Sequence, residues 1–100
     1  MANFENMLQS GQDNALLRFG LGQAYLNDQQ YDQAIIHLKS ATQHDPDYSA
    51  AWKLLGKAYA KLEDNDNAIT SFQSGIAIAE QKGDKQAAKE MQVFLKRLLK

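Results

Sequence analysis

Apolar side chains recur every three or four residues in four segments of the chain, the spacing that places them on one face of an α-helix. A polar stretch at 27–30 separates the first segment from the second, and one at 63–66 separates the third from the fourth. The Asp and Asn side chains of these stretches are suited to cap the helix that follows. The pattern predicts two helix–turn–helix units in an all-α chain. The apolar positions are Leu17, Leu21, Ala24 and Tyr25, then Ala34, Ile35, Leu38 and Ala41, in the first unit, and Trp52, Leu55 and Tyr59, then Ala68, Ile69, Phe72 and Gly75, in the second.

The two units are copies of one pattern. When residues 15–48 are aligned with residues 49–82 without gaps, the two segments share eight identities. The offset between the two segments is 34 residues. A fixed period of this length is typical of stacked units that cannot bury their apolar faces alone. The identical pairs are Leu21 and Leu55, Gly22 and Gly56, Ala24 and Ala58, Tyr25 and Tyr59, Asp32 and Asp66, Ala34 and Ala68, Ile35 and Ile69, and Ser40 and Ser74.

Glycine occupies equivalent places inside the first helix of both units, at Gly22 and Gly56. A glycine within a helix costs about 1 kcal/mol relative to alanine, so its presence at both places indicates a packing role. We expect these glycines to lie against the large Tyr25 and Tyr59 and the small Ala34 and Ala68, where they let the paired helices approach closely.

The two ends of the chain have the pattern of caps on a single domain, 1–100. Residues 83–100 place Ala87, Met91, Phe94, Leu95 and Leu98 on one face of a closing helix, with Asp84 as its N-cap after Gly83. At the other end, residues 1–14 place Phe4, Met7 and Leu8 on one face of a short helix that ends near Gly11. Terminal repeats need such covers. The domain thus divides into an N-terminal cap (1–14), two repeats (15–48 and 49–82) and a closing helix (83–100).

The repeated residues resemble the tetratricopeptide repeat. The second unit has Trp52, Leu55, Gly56, Tyr59, Ala68 and Phe72 at the motif positions, and the first has Leu21, Gly22, Tyr25, Ala34, Ala41 and Pro46, with Leu38 in place of Phe and Arg18 in place of Trp. The resemblance implies an α-α superhelix of two helical hairpins, with a C-terminal capping helix and a short N-terminal helix. It also implies a concave face, lined by the first helix of each hairpin, that holds a peptide or partner protein.

By the same resemblance, both units contribute side chains to that face. The second unit would add Ala50 and Ala60 beside its charged positions. The candidate binding residues are Leu16, Phe19, Gln23, Leu26 and Asn27 from the first unit and Lys53, Lys57 and Lys61 from the second.

The three lysines recur every four residues and so form one stripe on a helix, next to an apolar patch of Phe19 and Leu26. Ammonium groups beside apolar contacts favour an acidic peptide with an aliphatic or aromatic anchor. The alternative is a lysine stripe that only solvates a helix face. Some chaperone-binding members of the family clamp a C-terminal carboxylate with Lys, Asn and Arg, but Phe19, Gln23 and Leu54 stand at three of those five places, so that partner is not expected.

Charge and composition narrow the partner classes further. The chain has 11 Lys plus Arg and 12 Asp plus Glu, a formal net charge of -1, which does not favour nucleic acid as a partner; the basic tail at 96–100 is a weak RNA alternative. No apolar run has the length of about 18 residues that a membrane span needs. The absence of Cys and the polar N-terminus favour a cytoplasmic protein.

The charge is distributed unevenly. Residues 1–50 carry two basic and six acidic groups, a balance of -4, whereas residues 51–100 carry nine and six, a balance of +3. Such asymmetry can steer an acidic partner or favour head-to-tail self-association. A weak homo-oligomer formed through the ends of the stack is therefore the alternative to a binding module, with Leu98 and Leu99 offering apolar surface there.

The sequence contains no arrangement typical of catalysis, so we expect no enzyme activity, no cofactor and no metal. His37 and His44 lie two helical turns apart without a third ligand, and we expect both to face solvent. The carboxylates at Asp28, Asp64 and Asp66 stand in turns and helix starts, where capping accounts for them.

Overall fold

The computed structural model describes residues 7–8 and 11–100. Within this part of the chain the predicted all-α class is confirmed, and five helices of defined extent form an α-α superhelix of two hairpins and a closing helix. Met7 and Leu8 are helical, but Phe4 lies outside the described residues. The helices are α1 (Ala15–Asn27), α2 (Tyr31–His44), α3 (Ser49–Lys61), α4 (Asn65–Gln81) and α5 (Lys85–Leu98).

Side-chain caps fix the starts of three helices. Asn14 accepts a hydrogen bond from the backbone N–H of Leu17 at the start of α1, at 2.8 Å. Asp64 caps α4 and Asp84 caps α5 in the same way, as predicted. The prediction for Asp28 was wrong, because this residue ends α1 and its carboxylate accepts a hydrogen bond from the Gln30 side chain.

Each hairpin contributes to an apolar layer, and Tyr59 contacts both layers. The first layer joins α2 and α3, and the second joins α4 and α5. Leu38 and Phe72, which are equivalent across the repeat period, are fully buried in the two layers. The buried residues are Ala34, Leu38, Leu54, Leu55 and Ala58 in the first layer and Ala68, Phe72, Ala79, Ala88 and Met91 in the second.

The packing role predicted for the helical glycines is confirmed, but their closest neighbours are not the tyrosines. A Cβ at Gly22 would overlap Cγ of Leu38, and one at Gly56 would lie 2.7 Å from the Phe72 ring. Neither place has room for another carbon atom. The glycines therefore give room to the large residue of the second helix in their own hairpin, and this close approach seats Leu38 and Phe72 in the core.

A polar network occupies the place in the first repeat where Trp52 stands in the second. The Arg18 guanidinium forms two hydrogen bonds with Asp13, at 2.8 and 3.1 Å, and a third contact of 3.0 Å with Nδ1 of His37. His44 Nε2 lies 3.3 Å from the same carboxylate. Four polar side chains from 13–44 thus meet at this end of the stack.

The expectation that His37 faces solvent was wrong. His37 is only 7% exposed, and its ring stacks on Tyr25 with a centroid distance of 5.4 Å. Because a guanidinium has no acceptor, Arg18 must donate and His37 Nδ1 must accept. Arg18 provides the partner that a buried imidazole requires, at the position where the second repeat has Trp52.

Candidate functional site

The helices α1, α3 and α5 lie side by side, with α3 in contact with both of the others. The surface that these three helices form together is called the groove below. The helices α2 and α4 pack between them from the other side, so the side chains of α2 and α4 do not separate α3 from its two neighbours. All eight predicted binding residues lie on α1 and α3.

The α1 part of the groove is mostly apolar and polar-uncharged. Leu16 is 72% exposed, and Gln23 and Asn27 are exposed as well. Phe19 is half-buried and stacks on Tyr48 with ring centroids 4.8 Å apart. The apolar side chain of Leu16 is therefore accessible to a partner, whereas Phe19 is already in contact with the Tyr48 ring.

Leu26 lies further along α1 and is less exposed than Leu16. The side chain is half-buried and packs against the first apolar layer. Leu26 thus contributes to the core as well as to the groove wall. The predicted apolar patch of Phe19 and Leu26 is reduced to the parts of these side chains that their neighbours leave uncovered.

The three lysines of α3 face α5 and have different surroundings. Lys53 Nζ donates to Glu90 Oε2 at 3.1 Å. Lys57 Nζ lies 5.5 Å from the centre of the Phe94 ring, a distance typical of a cation–π contact. Lys61 is exposed at the end of the stripe. The lysine stripe is therefore not a simple solvated face, because two of its three members contact the closing helix.

The hydrogen bond from Lys53 holds the pKa of the Glu90 carboxyl below its usual range. The Gln86 amide, 3.4 Å from Glu90 Oε1, acts in the same direction, as does the positive charge of Lys57. Glu90 thus remains ionised at neutral pH and partly compensates the positive charge at the Lys53 end of the stripe. The uncompensated positive charge lies toward Lys57 and Lys61.

The closing helix contributes residues that the repeat pattern does not assign to the groove. Glu90, Phe94 and Arg97 of α5 all face α3, and the Arg97 guanidinium lies 5.9 Å from the centre of the Phe94 ring. Their spacing of four and three residues is that of one helix face, a signal that the sequence carries, but the sequence does not show that this face lies toward α3. This face was missed because Phe94 also fits the packing face and α5 departs from the register of the two repeats.

A cavity of about 280 Å³ lies where α3, α4 and α5 meet. Its lining combines four apolar side chains with three cationic ones. A second cavity of about 320 Å³ adjoins it on the side of Lys53 and Glu90 and shares Lys57, Phe94 and Arg97 with it. The first cavity is called the anchor pocket below; its lining residues are Lys57, Ala60, Lys61, Phe72, Phe94, Arg97 and Leu98.

Among residues 7–8 and 11–100, no three His, Asp or Glu side chains are grouped closely enough to hold a metal ion. In the same part of the chain, no helix has both the length and the apolar character needed to cross a membrane.

Comparisons with known proteins agree on one family. The family model described as "Tetratricopeptide repeat" matches residues 2–47 and 19–84. The TPR repeat-containing protein PA0015 of Pseudomonas aeruginosa is 51% identical over 94 residues, which cover 94% of this chain and 90% of that protein.

Two solved structures are similar to this chain along most of its length. The solution structure of protein BPP2914 from Bordetella parapertussis has a TM-score of 0.84 and 47% sequence identity, and covers 98% of this chain and 85% of that one. The solution structure of a tetratricopeptide repeat domain protein from Salinibacter ruber has a TM-score of 0.78 and 27% identity, and covers 86% and 87% of the two chains. The repeat period, the helical hairpins and these matches together show that the chain belongs to the tetratricopeptide repeat family.

Proposed function

We propose that this protein is a non-catalytic interaction module that binds a segment of a partner protein along the groove. Domains of this family generally bind proteins, and the arrangement of α1, α3 and α5 as one surface is the observation that carries the proposal. The binding residues are those predicted on α1 and α3: Leu16, Phe19, Gln23, Leu26, Asn27, Lys53, Lys57 and Lys61.

The charge of the groove supports an acidic partner segment with an apolar anchor. Lys57 is half-buried over an aromatic ring, and the exposed Lys61 lines the same cavity as Phe94 and Leu98, so both lysines are next to apolar surface. A carboxylate beside an apolar side chain complements this arrangement. The balance of +3 in residues 51–100 attracts such a segment to the same part of the molecule.

Amide chemical-shift perturbation of the labelled protein tests this proposal. We expect a panel of short acidic peptides to shift amides of α1 and α3, including those of Leu16, Gln23 and Lys57, and to leave outward-facing residues of α2 and α4, such as Asp32 and Gln73, unchanged. Basic peptides of the same length should shift neither set. Shifts confined to α2 and α4 would show that the groove is not the binding surface.

A charge-reversal pair sharpens the test. The double variant Lys57→Glu with Lys61→Glu should remove the acidic-peptide shifts. The matched control is Lys82→Glu with Lys96→Glu, which makes the same change in net charge at exposed positions that line none of the cavities between α3 and α5. Lys53 is left intact because its reversal would bring two carboxylates together at Glu90. Equal losses in both double variants would mean that net charge, and not the groove, governs binding.

A second candidate function is self-association through the end of the stack. Leu99, which follows α5, is 62% exposed, and the opposite charges of the two halves of the chain favour head-to-tail contact. Sedimentation velocity decides between the two functions. A concentration-dependent rise in the sedimentation coefficient supports self-association, whereas a monomer at high micromolar concentration excludes it.

A further inference from the structure

We propose that the anchor pocket receives one aromatic or large aliphatic side chain of the partner, and that the partner carries carboxylates on both sides of that residue. This inference rests on the proposed function and makes it more specific, because it places the anchor at the closing helix and not at the Phe19 and Leu26 patch of α1. It also gives the closing helix a part in recognition in addition to its part in covering the last repeat.

The apolar part of the pocket is built on the packed core. Phe72 is fully buried and is among the lining residues, and its ring stacks on Phe94 with centroids 5.5 Å apart and planes 10° apart. Phe94 and Leu98 are half-buried and present their remaining surface to the cavity. The volume of about 280 Å³ is just below the range for small-ligand pockets, which is roughly 300–1,000 Å³. It therefore suits a single inserted side chain.

The charged part of the pocket has one sign. Lys57, Lys61 and Arg97 line it, and none of the described residues that line it is acidic. Lys57 and Arg97 both lie close to the Phe94 ring centre, at 5.5 and 5.9 Å. An apolar side chain that enters next to Phe94 thus brings its neighbouring residues close to these cations. Carboxylates at those neighbouring positions are the groups that complement them.

The chain itself contains an example of this recognition. Glu90 of α5 reaches across to Lys53 and accepts its hydrogen bond at 3.1 Å. Lys53 is the first of the three lysines of the stripe, and its carboxylate partner comes from the closing helix. Lys57 and Lys61 continue the same side of α3 by one and two turns. A partner carboxylate placed there extends an ion-pair pattern that the fold has already begun.

The equivalent place in the first repeat lacks this chemistry. In the alignment of the two repeats, Gln23 corresponds to Lys57 and Asn27 to Lys61, so amides replace both ammonium groups. Leu38 correspondingly replaces the Phe72 ring. The preference for a carboxylate-flanked anchor is therefore a property of the α3–α5 end of the groove and does not recur at α1.

The test uses a fluorescent peptide, acetylated and amidated at its ends, with one phenylalanine between two pairs of glutamates in a Gly–Ser background. Anisotropy titrations compare it with a peptide that has Ala in place of Phe and one that has Lys in place of Glu. We expect either change to weaken binding about tenfold or more, equivalent to about 1.4 kcal/mol. Equal affinity for the Phe and Ala peptides would overturn the proposal.

Matched variants of the closing helix locate the binding. Arg97→Glu should weaken the Phe–Glu peptide about tenfold, whereas Lys96→Glu should change it less than about threefold. Gln92 and Lys89 line a cavity on the other side of α5. Lys96 follows them by four and seven residues and so lies on their face of the helix. The two variants therefore make the same charge change on different faces of α5. Lys61→Glu and Lys82→Glu form a second pair. Circular dichroism establishes that each variant is folded.

Amide shifts separate this inference from the proposed function. If the peptide shifts Phe94 and Leu98 together with Lys57, the anchor pocket is supported. If acidic peptides shift α1 and α3 but leave Phe94 and Leu98 unchanged, the pocket is overturned while the groove function stands. If no acidic peptide shifts any groove residue, both fail. Equal losses with Arg97→Glu and Lys96→Glu would also overturn the pocket.

Discussion

Arg18 and Trp52 occupy equivalent positions of the two repeats, but their surroundings differ. Trp52 packs against the first apolar layer and donates its indole N–H to the carbonyl of Pro46 at 2.8 Å. Its Cβ also lies 3.0 Å from the point where a side chain at Gly75 would begin. The second repeat thus holds an aromatic side chain at this position by close apolar packing and one hydrogen bond.

Arg18 is held at the same position by polar contacts. It is 18% exposed, and it joins Asp13, which is 35% exposed, to the buried His37. At the position equivalent to His37, the second repeat has Ser71, which is also buried and whose hydroxyl donates to the backbone carbonyl of Asn67 at 2.9 Å. The difference shows that this position of the helical hairpin accepts either an apolar or a polar side chain, provided that the buried polar atoms form hydrogen bonds.

The largest expected effect comes from truncating the two side chains. Trp52→Ala should lower the free energy of unfolding by about 3 kcal/mol, the lower end for large aromatic residues, because Trp52 is only half-buried. Arg18→Ala should cost about 1 kcal/mol, because its contacts are partly exposed to solvent. Urea denaturation followed by circular dichroism gives both values. Equal costs would show that the two side chains stabilise their repeats to the same extent.

The sequence predicted the hairpins because apolar periodicity and the repeated glycines report backbone packing directly. Gly22 and Gly56, for example, mark the places where Leu38 and Phe72 of the paired helix pack against α1 and α3. The polar network was not predictable in this way, since Asp13, Arg18 and His37 come from separate segments of the chain and meet only after α1 packs on α2.

The groove residues also divide into those that the repeat pattern predicts and those that it does not. The residues of α1 and α3 follow from the repeat register, so the sequence assigned them. The contributions of Glu90, Phe94 and Arg97 depend on how α5 packs, and α5 fits the repeat only after a one-residue shift. Register is the signal that a repeat sequence carries best, and residues outside it need the tertiary structure.

A double-mutant cycle tests whether the first repeat depends on a coupled network. Arg18→Ala and His37→Ala remove the two ends of the 3.0 Å contact, and we expect a coupling energy of about 1 kcal/mol. The matched cycle uses Trp52→Ala and Ser71→Ala at the equivalent positions. Its coupling should be below about 0.5 kcal/mol, the level at which two sites count as independent, because the Ser71 hydroxyl bonds within its own helix. Similar coupling in both cycles would contradict the distinction between a polar network and apolar packing.

The smallest expected effect is a pH dependence that belongs to the polar network around Arg18. The hydrogen bond from Arg18 lowers the pKa of Asp13, partial burial opposes this, and the charges of Arg18 and His44 reinforce it. Because the folded-state pKa lies below the unfolded value of about 3.9, the contribution to stability is present above about pH 4. It is lost as the pH falls through the folded-state pKa.

Asp13→Asn removes this titration and keeps the shape of the side chain. At pH 7 and low salt the wild type should be more stable than Asp13→Asn by less than about 1 kcal/mol, since Asp13 is exposed enough for solvent to screen the pair. The difference should shrink in high salt and in acid below the folded-state pKa. Asp47→Asn is the control, because Asp47 precedes the second repeat as Asp13 precedes the first, its backbone N–H bonds to Asp45, and Trp52 stands in place of Arg18. A stability difference for Asp13→Asn that persists unchanged in acid would mean that Asp13 acts through its shape and not through its charge.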